Sequence, residues 1–165
     1  KVCVETDTPD PLNPYSVSKL AGEHLMKMYN DLYGIKTASL RYFNVYGPRQ
    51  SNTGQYAPVV GIFQKQKEQH SALTIVGDGK QTRDFIHVSD VAEANILVSE
   101  SDATGVYNVG TGIEYSVNQI ADMISDVQRN IPPRVGEARR SLADSSKLQS
   151  LGWKPQIKLE DWVNA

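Results

Sequence analysis

Tyr15 and Lys19 are the residues of this 165-residue chain whose types and spacing most directly offer chemistry. In Asn13-Pro14-Tyr15-Ser16-Val17-Ser18-Lys19, a phenol and an amine stand four residues apart, just inside a helix start. Asn13 can cap the first turn, and Pro14 suits the first helical position, where its missing N–H costs nothing. Positions four apart lie side by side on a helix. A free phenol ionises near pH ~10, and a neighbouring cation favours the phenolate, so such a pair can take up and return a proton. Alone, the pair also fits an amphipathic surface helix on which the two residues meet by chance.

The elements that must hold this pair are legible as periodicity. Val17, Ala21, Leu25, Met28 and Leu32 recur at spacings of four, four, three and four. They predict a helix over 15–33 with one apolar stripe facing a core, stopped by Gly34. A strand over 36–42 follows, then a loop holding Gly47-Pro48-Arg49 and Asn52-Thr53-Gly54, then a helix from about Pro58 to His70. Leu73 to Val76 and Arg83 to Val88 read as short strands, and Gly77-Asp78-Gly79 between them as a tight hairpin turn. Ser89-Asp90 is expected to cap a helix carrying Val91, Ala94, Leu97 and Val98, and Val106 to Val109 to form a strand. Ser116-Val117-Asn118-Gln119 is a capping box whose helix continues its apolar face through Ile120, Ile124 and Val127. A last short helix is expected from Asp144 to about Leu151, ended by Gly152. Mixed strands and helices indicate an α/β protein. The opening Lys1-Val2-Cys3-Val4 is too short to found a parallel sheet, so the chain is expected to begin in the middle of a fold.

Composition narrows the classes. Net charge is −2, with no basic block, which argues against a nucleic-acid partner. No apolar run approaches the ~18 residues that span a bilayer, and no signal-peptide pattern opens the chain. Cys3 is the only cysteine, which excludes an internal disulfide or a thiolate cluster, and His24, His70 and His87 share no metal-ligand spacing. A cytoplasmic protein is the default expectation.

Two further blocks accompany the helix pair: Arg41-Tyr42-Phe43-Asn44-Val45-Tyr46-Gly47-Pro48 and Gly77-Asp78-Gly79-Lys80-Gln81-Thr82-Arg83-Asp84-Phe85-Ile86-His87-Val88. With them the chain resembles the C-terminal half of an extended short-chain dehydrogenase/reductase of the NAD-dependent epimerase/dehydratase family. The likeness is greatest to the UDP-hexose 4-epimerases, and it covers essentially the whole sequence. It implies a partial Rossmann-like fold. Residues 1–50 would be the remnant of the nucleotide-binding domain, and 51–165 mainly a smaller α/β substrate-binding region with segments returning to the first.

The resemblance also implies roles. Tyr15 would be the catalytic acid/base, and Lys19 would hold the nicotinamide ribose of NAD while making the tyrosine more acidic. Tyr15 would remove the proton of the sugar 4-hydroxyl as the C4 hydride passes to NAD, and the 4-keto sugar would turn over and recover hydride on its opposite face. Asn44, by itself an ordinary turn residue, would contact substrate near the diphosphate and sugar. Arg83, by itself a surface ion-pair residue, would bind the diphosphate, which suits a planar guanidinium with paired donors. Thr74 and Val76 would flank the uracil. Arg134 would meet phosphate, and Glu137 would bond the uridine ribose where relatives carry aspartate, a departure of one methylene. Ser141, seven residues past Arg134, would border the substituent on sugar C2. Its small size favours an N-acetyl group, hence UDP-GlcNAc/UDP-GalNAc over UDP-Glc/UDP-Gal.

The glycine-rich NAD turn of such enzymes precedes the catalytic tyrosine, and no such turn opens a helix in this sequence. The chain is therefore expected to be part of an enzyme, inactive and weak in NAD binding alone, and prone to form a homodimer or larger assembly through its uncovered helix face. Two alternatives stay open: a nucleotide-sugar 4,6-dehydratase or decarboxylase of the same family, and a non-catalytic nucleotide-sugar-binding module.

Overall fold

The computed structural model describes residues 2–54, 57–133 and 138–163. The long helix α1 spans Pro14–Tyr33 and is closed by Gly34 in the left-handed region (φ 66°), whose N–H donates to the Asn30 carbonyl at 3.0 Å. Strand β1 (Ala38–Tyr42) follows and gives way at once to β2 (Asn44–Tyr46). Helix α2 (Val59–Glu68) leads to β3 (Leu73–Val76), then β4 (Thr82–His87) and α3 (Val88–Ser99). The remainder comprises β5 (Gly105–Val109), β6 (Glu114–Ser116), α4 (Val117–Ile124), β7 (Gln128–Ile131), β8 (Arg140–Ser141), α5 (Ser146–Gln149) and α6 (Leu159–Val163). No helix among the described residues is long and apolar enough to cross a membrane.

Strand pairing is mostly parallel. β1 pairs with β5, β2 with β4, β3 with β7, and β4 with β8, while β4 and β6 run antiparallel. The α/β class stands. Two apolar clusters hold the elements. One gathers Tyr46, Phe63, Leu73, Ile75, Phe85, Ile120 and Leu159 from α2, α4, α6 and the strands they cover. The other gathers Ile86, Val91, Ala94, Tyr107, Val109, Leu148 and Trp153 around β5, α3 and α5.

Several local expectations are corrected. Gly77-Asp78-Gly79 makes a tight turn but no hairpin, because β3 and β4 leave it for different partners. Asn118 grips that turn: its Nδ2 donates to the Asp78 carbonyl at 3.1 Å, and a Cβ built on Gly79 (φ 67°) would lie 1.8 Å from its Oδ1. Helix α3 is capped by His87, whose Nδ1 accepts from the Ser89 N–H, rather than by Ser89-Asp90. Asp90 is employed elsewhere, accepting from the backbone N–H groups of Gln156 and Ile157 at 3.1 Å. Val127 lies beyond the end of α4, and its carbonyl accepts from the Leu73 N–H at 2.8 Å. The short helix expected from Asp144 to about Leu151 is confined to Ser146–Gln149, and it is not the last, because α6 follows at Leu159–Val163.

The apolar stripe of α1 does not face a core formed by the described residues. Val17, Leu25, Met28 and Leu32 are exposed, and no residue of α1 is fully buried. The helix turns its Glu23 side toward β1 instead, because Glu23 makes a two-bond pair with Arg41, both bonds 2.7 Å.

Candidate active site

The first turn of α1 is built by a reciprocal cap. Ser16 N–H donates to Asn13 Oδ1 at 2.9 Å, and Asn13 N–H donates to Ser16 Oγ at 3.1 Å. This cap fixes the frame in which Tyr15 and Lys19 project from one face. The Lys19 Nζ lies 5.2 Å from the centroid of the Tyr15 ring, within the range of a cation–π contact. Tyr15 is 52% exposed, and its neighbour is exposed as well. The Glu23–Arg41 pair, one turn further along, ties this helix to β1 and so sets the distance between the pair and the sheet.

Asn44 stands where the chain changes strand partners. Phe43 N–H still donates to Val109 of β5 at 3.0 Å, whereas Asn44 is already in register with Phe85 of β4. It is thus the first residue of a strand, not of a loop. Parallel strands that diverge at such a point leave a crevice at their carboxyl ends.

The remaining predicted residues come from β3, β4 and β8. On β3, Leu73 and Ile75 are buried in the core, and the alternation of a strand turns Thr74 and Val76 to the opposite face. Arg83 of β4 and Ser141 of β8 are register partners, and the Arg83 Nη1 donates to the Thr82 carbonyl at 2.8 Å. Arg140, beside Ser141, anchors β8 by two bonds to Glu114 of 2.7 and 2.8 Å. The guanidinium of Arg140, helped by the Thr82 hydroxyl, holds the Glu114 carboxyl down to about 2.

Tyr15, Lys19, Asn44, Thr74, Val76, Arg83 and Ser141 all line a single open cleft of about 1230 Å³. That volume exceeds the ~300–1,000 Å³ of ordinary small-molecule sites and leaves room for a long, segmented ligand. Arg134 and Glu137 lie outside the described residues. Sequence reasoning missed the cleft's other wall, where Cys3, Val4 and Asp7 stand beside Arg41. No periodicity marks that segment. It is held by isolated contacts, among them the Cys3 N–H to the Leu142 carbonyl at 2.8 Å and the Asn108 Nδ2 to the Cys3 carbonyl at 3.0 Å.

Comparison with known proteins bears on what this cleft belongs to. The model of the NAD dependent epimerase/dehydratase family matches residues 3–110. The chain belongs to that family. A Methanocaldococcus jannaschii protein, named provisionally as a UDP-glucose 4-epimerase, is 44% identical over 163 residues, covering 93% of this chain and 52% of that protein. Among solved structures, the UDP-N-acetylglucosamine 4-epimerase of Methanobrevibacter ruminantium in complex with UDP-N-acetylmuramic acid superposes with a TM-score of 0.93 at 37% identity, over 98% of this chain and 54% of that one. The UDP-glucose 4-epimerase of Thermus thermophilus in complex with NAD gives a TM-score of 0.91 at 36% identity, over 99% and 55%. The chain thus spans about half the length of the relatives it matches.

Proposed function

We propose that this chain supplies the proton-transfer pair and much of the sugar-nucleotide site of a UDP-sugar 4-epimerase, with UDP-N-acetylglucosamine and UDP-N-acetylgalactosamine as the preferred substrates. The observation that carries the reading is the convergence of Tyr15, Lys19, Asn44, Thr74, Val76, Arg83 and Ser141 on one cleft although they come from five separate elements. In this reading the cluster around β5 and α3 is the remnant of the nucleotide-binding part, and the cluster around α2 and α4 the substrate-binding part.

Tyr15 and Lys19 fit the ribose side of a dinucleotide. Both stand exposed on one helix face at the cleft, offering a hydroxyl and an amine to sugar hydroxyls. NAD, when bound, supplies the acceptor and donor for the hydride at sugar C4. The chain's own groups do the rest. The Tyr15 oxygen, as phenolate, takes the proton of the 4-hydroxyl and later returns it, and Lys19 stabilises the phenolate before that proton arrives and after it leaves. Arg83 offers paired donors to the diphosphate. Asn44, at the head of the crevice, orients the sugar-proximal phosphate, and Ser141 leaves space beside sugar C2. Arg134 and Glu137 complete the phosphate and ribose contacts in this proposal.

The test is a matched epimerisation assay on the enzyme carrying these residues, loaded with NAD, using the N-acetylated and the plain UDP-hexose. Epimerisation of the N-acetyl sugar, selectively suppressed by Ser141→Tyr with the plain sugar spared, is the expected result. An enzyme that turns over only the plain sugar, or neither, contradicts the assignment.

A further inference from the structure

Gln66 on α2 reaches across to β3 and bonds Thr74 twice. Its Oε1 accepts from the Thr74 N–H at 3.0 Å, and its Nε2 donates to Thr74 Oγ1 at 2.8 Å. The first bond decides the polarity of the second. A backbone N–H can only donate, so the amide oxygen must face it, and the Nε2, which can only donate, must face the hydroxyl. Thr74 Oγ1 is therefore an acceptor toward Gln66, and its own proton is available to another partner. The N–H groups of Leu73 and Gly77 are spent on β7, bonding the carbonyls of Val127 and Ile131. Thr74 and Val76 accordingly turn their backbone groups away from β7, where side chains take them up: Gln66 holds the Thr74 N–H, and Gln81 Nε2 donates to the Val76 carbonyl at 3.0 Å. Both also line the cleft.

We infer that Gln66 is a positioning residue that sets the Thr74 hydroxyl as a hydrogen-bond donor into the cleft, so that the cleft takes a nucleobase edge offering a carbonyl oxygen over one offering an amine. This rests on the nucleotide reading of the cleft given above and adds to it the device that selects the base. Among pyrimidine diphosphates, UDP carries a carbonyl where CDP carries an amine. A donor of fixed polarity rejects the amine because two donors would then face each other.

Gln66→Glu provides the test, since it is nearly isosteric and reverses the polarity. One carboxylate oxygen keeps the Thr74 N–H bond, and the other accepts from the hydroxyl, which must then present an acceptor to the cleft. The measurement is calorimetric binding of UDP and of CDP to the wild-type protein, Gln66→Glu, Thr74→Val and the double variant. Added negative charge acts alike on both diphosphates, so the ratio of affinities isolates the base. The expected result is a preference for UDP that falls by about tenfold in Gln66→Glu, through weaker UDP and stronger CDP binding. Thr74→Val should lose the preference by itself and make Gln66→Glu silent. Equal changes for both ligands in Gln66→Glu, or an intact preference in Thr74→Val, overturn the inference while leaving the nucleotide reading in place. Wild-type protein that binds neither ligand overturns both.

Discussion

At the scale of single residues, the site depends on side chains whose partners fix their orientation. Tyr15 and Lys19 share a face because a capped helix places residues four apart together, and Asn13 and Ser16 supply that cap. This much was legible in the sequence, since capping is local. Gln66 was not: it is a polar helix residue like its neighbours until the strand eight positions on turns Thr74 toward it. Glu114 lends itself to a test by pH. The Arg140 guanidinium lowers its carboxyl to about 2 from an ordinary 4.5. A carboxylate lowered on folding stabilises the native state fully above its unfolded value, and that contribution is lost as pH falls through the folded one. The hold of Arg140 on Glu114, and with it β8, should therefore weaken between about pH 4.5 and about 2. Thermal melting of wild type and Glu114→Gln across this window should show the two curves converging at the acid end. A constant gap between them would assign the pair no role in acid stability.

At the scale of elements, the strands show why pairing is harder to read than existence. Leu73–Val76 and Thr82–His87 both follow from β-branched and aromatic runs, and the turn between them from its glycines. Their partners are non-local. β3 pairs with Gln128–Ile131, whose composition carries no strand alternation, and β2 is a three-residue piece set off from β1 only by the change of neighbour at Phe43. One buried group joins much of the β4 region. The Asp84 carboxylate accepts from Thr111 N–H and Oγ1 at 2.8 Å, Gly112 N–H at 2.9 Å and Ala143 N–H at 3.2 Å. Asp84→Ala would take the shared acceptor from donors of which Ala143 is buried and Thr111 half-buried, each such loss costing about 1–3 kcal/mol where water cannot replace it. A loss of roughly 3 kcal/mol or more in denaturant unfolding is expected, together with weaker sugar-nucleotide binding as Ser141 shifts with β8. A loss under about 1 kcal/mol would mean that the surroundings collapse to satisfy those donors.

At the scale of the whole molecule, the apolar stripe on α1 is the feature that the described residues leave unexplained by their own packing. Val17, Leu25, Met28 and Leu32 are already partly covered, so burying the rest of each would contribute on the order of 1 kcal/mol. Their helical spacing was visible in the sequence, but not what covers them, because periodicity identifies an apolar face and not its partner. The 165-residue chain in solution should therefore self-associate through this face. Light scattering at increasing concentration should report masses above 18.3 kDa, shifted back toward it by Leu25→Glu with Leu32→Glu. A concentration-independent monomer would show that the stripe tolerates water.

In the proposed function, the phenol beside Lys19 faces the reacting hydroxyl of a UDP-sugar whose nucleotide lies along β3 and β4. A crystal structure of the NAD-loaded enzyme with UDP-N-acetylglucosamine measures this directly. The expected result is a sugar O4 within about 3 Å of the Tyr15 oxygen, with the diphosphate on Arg83 and the base at Thr74 and Val76. A sugar nucleotide bound elsewhere, or one whose O4 points away from Tyr15 with no group able to carry the proton between them, would contradict it.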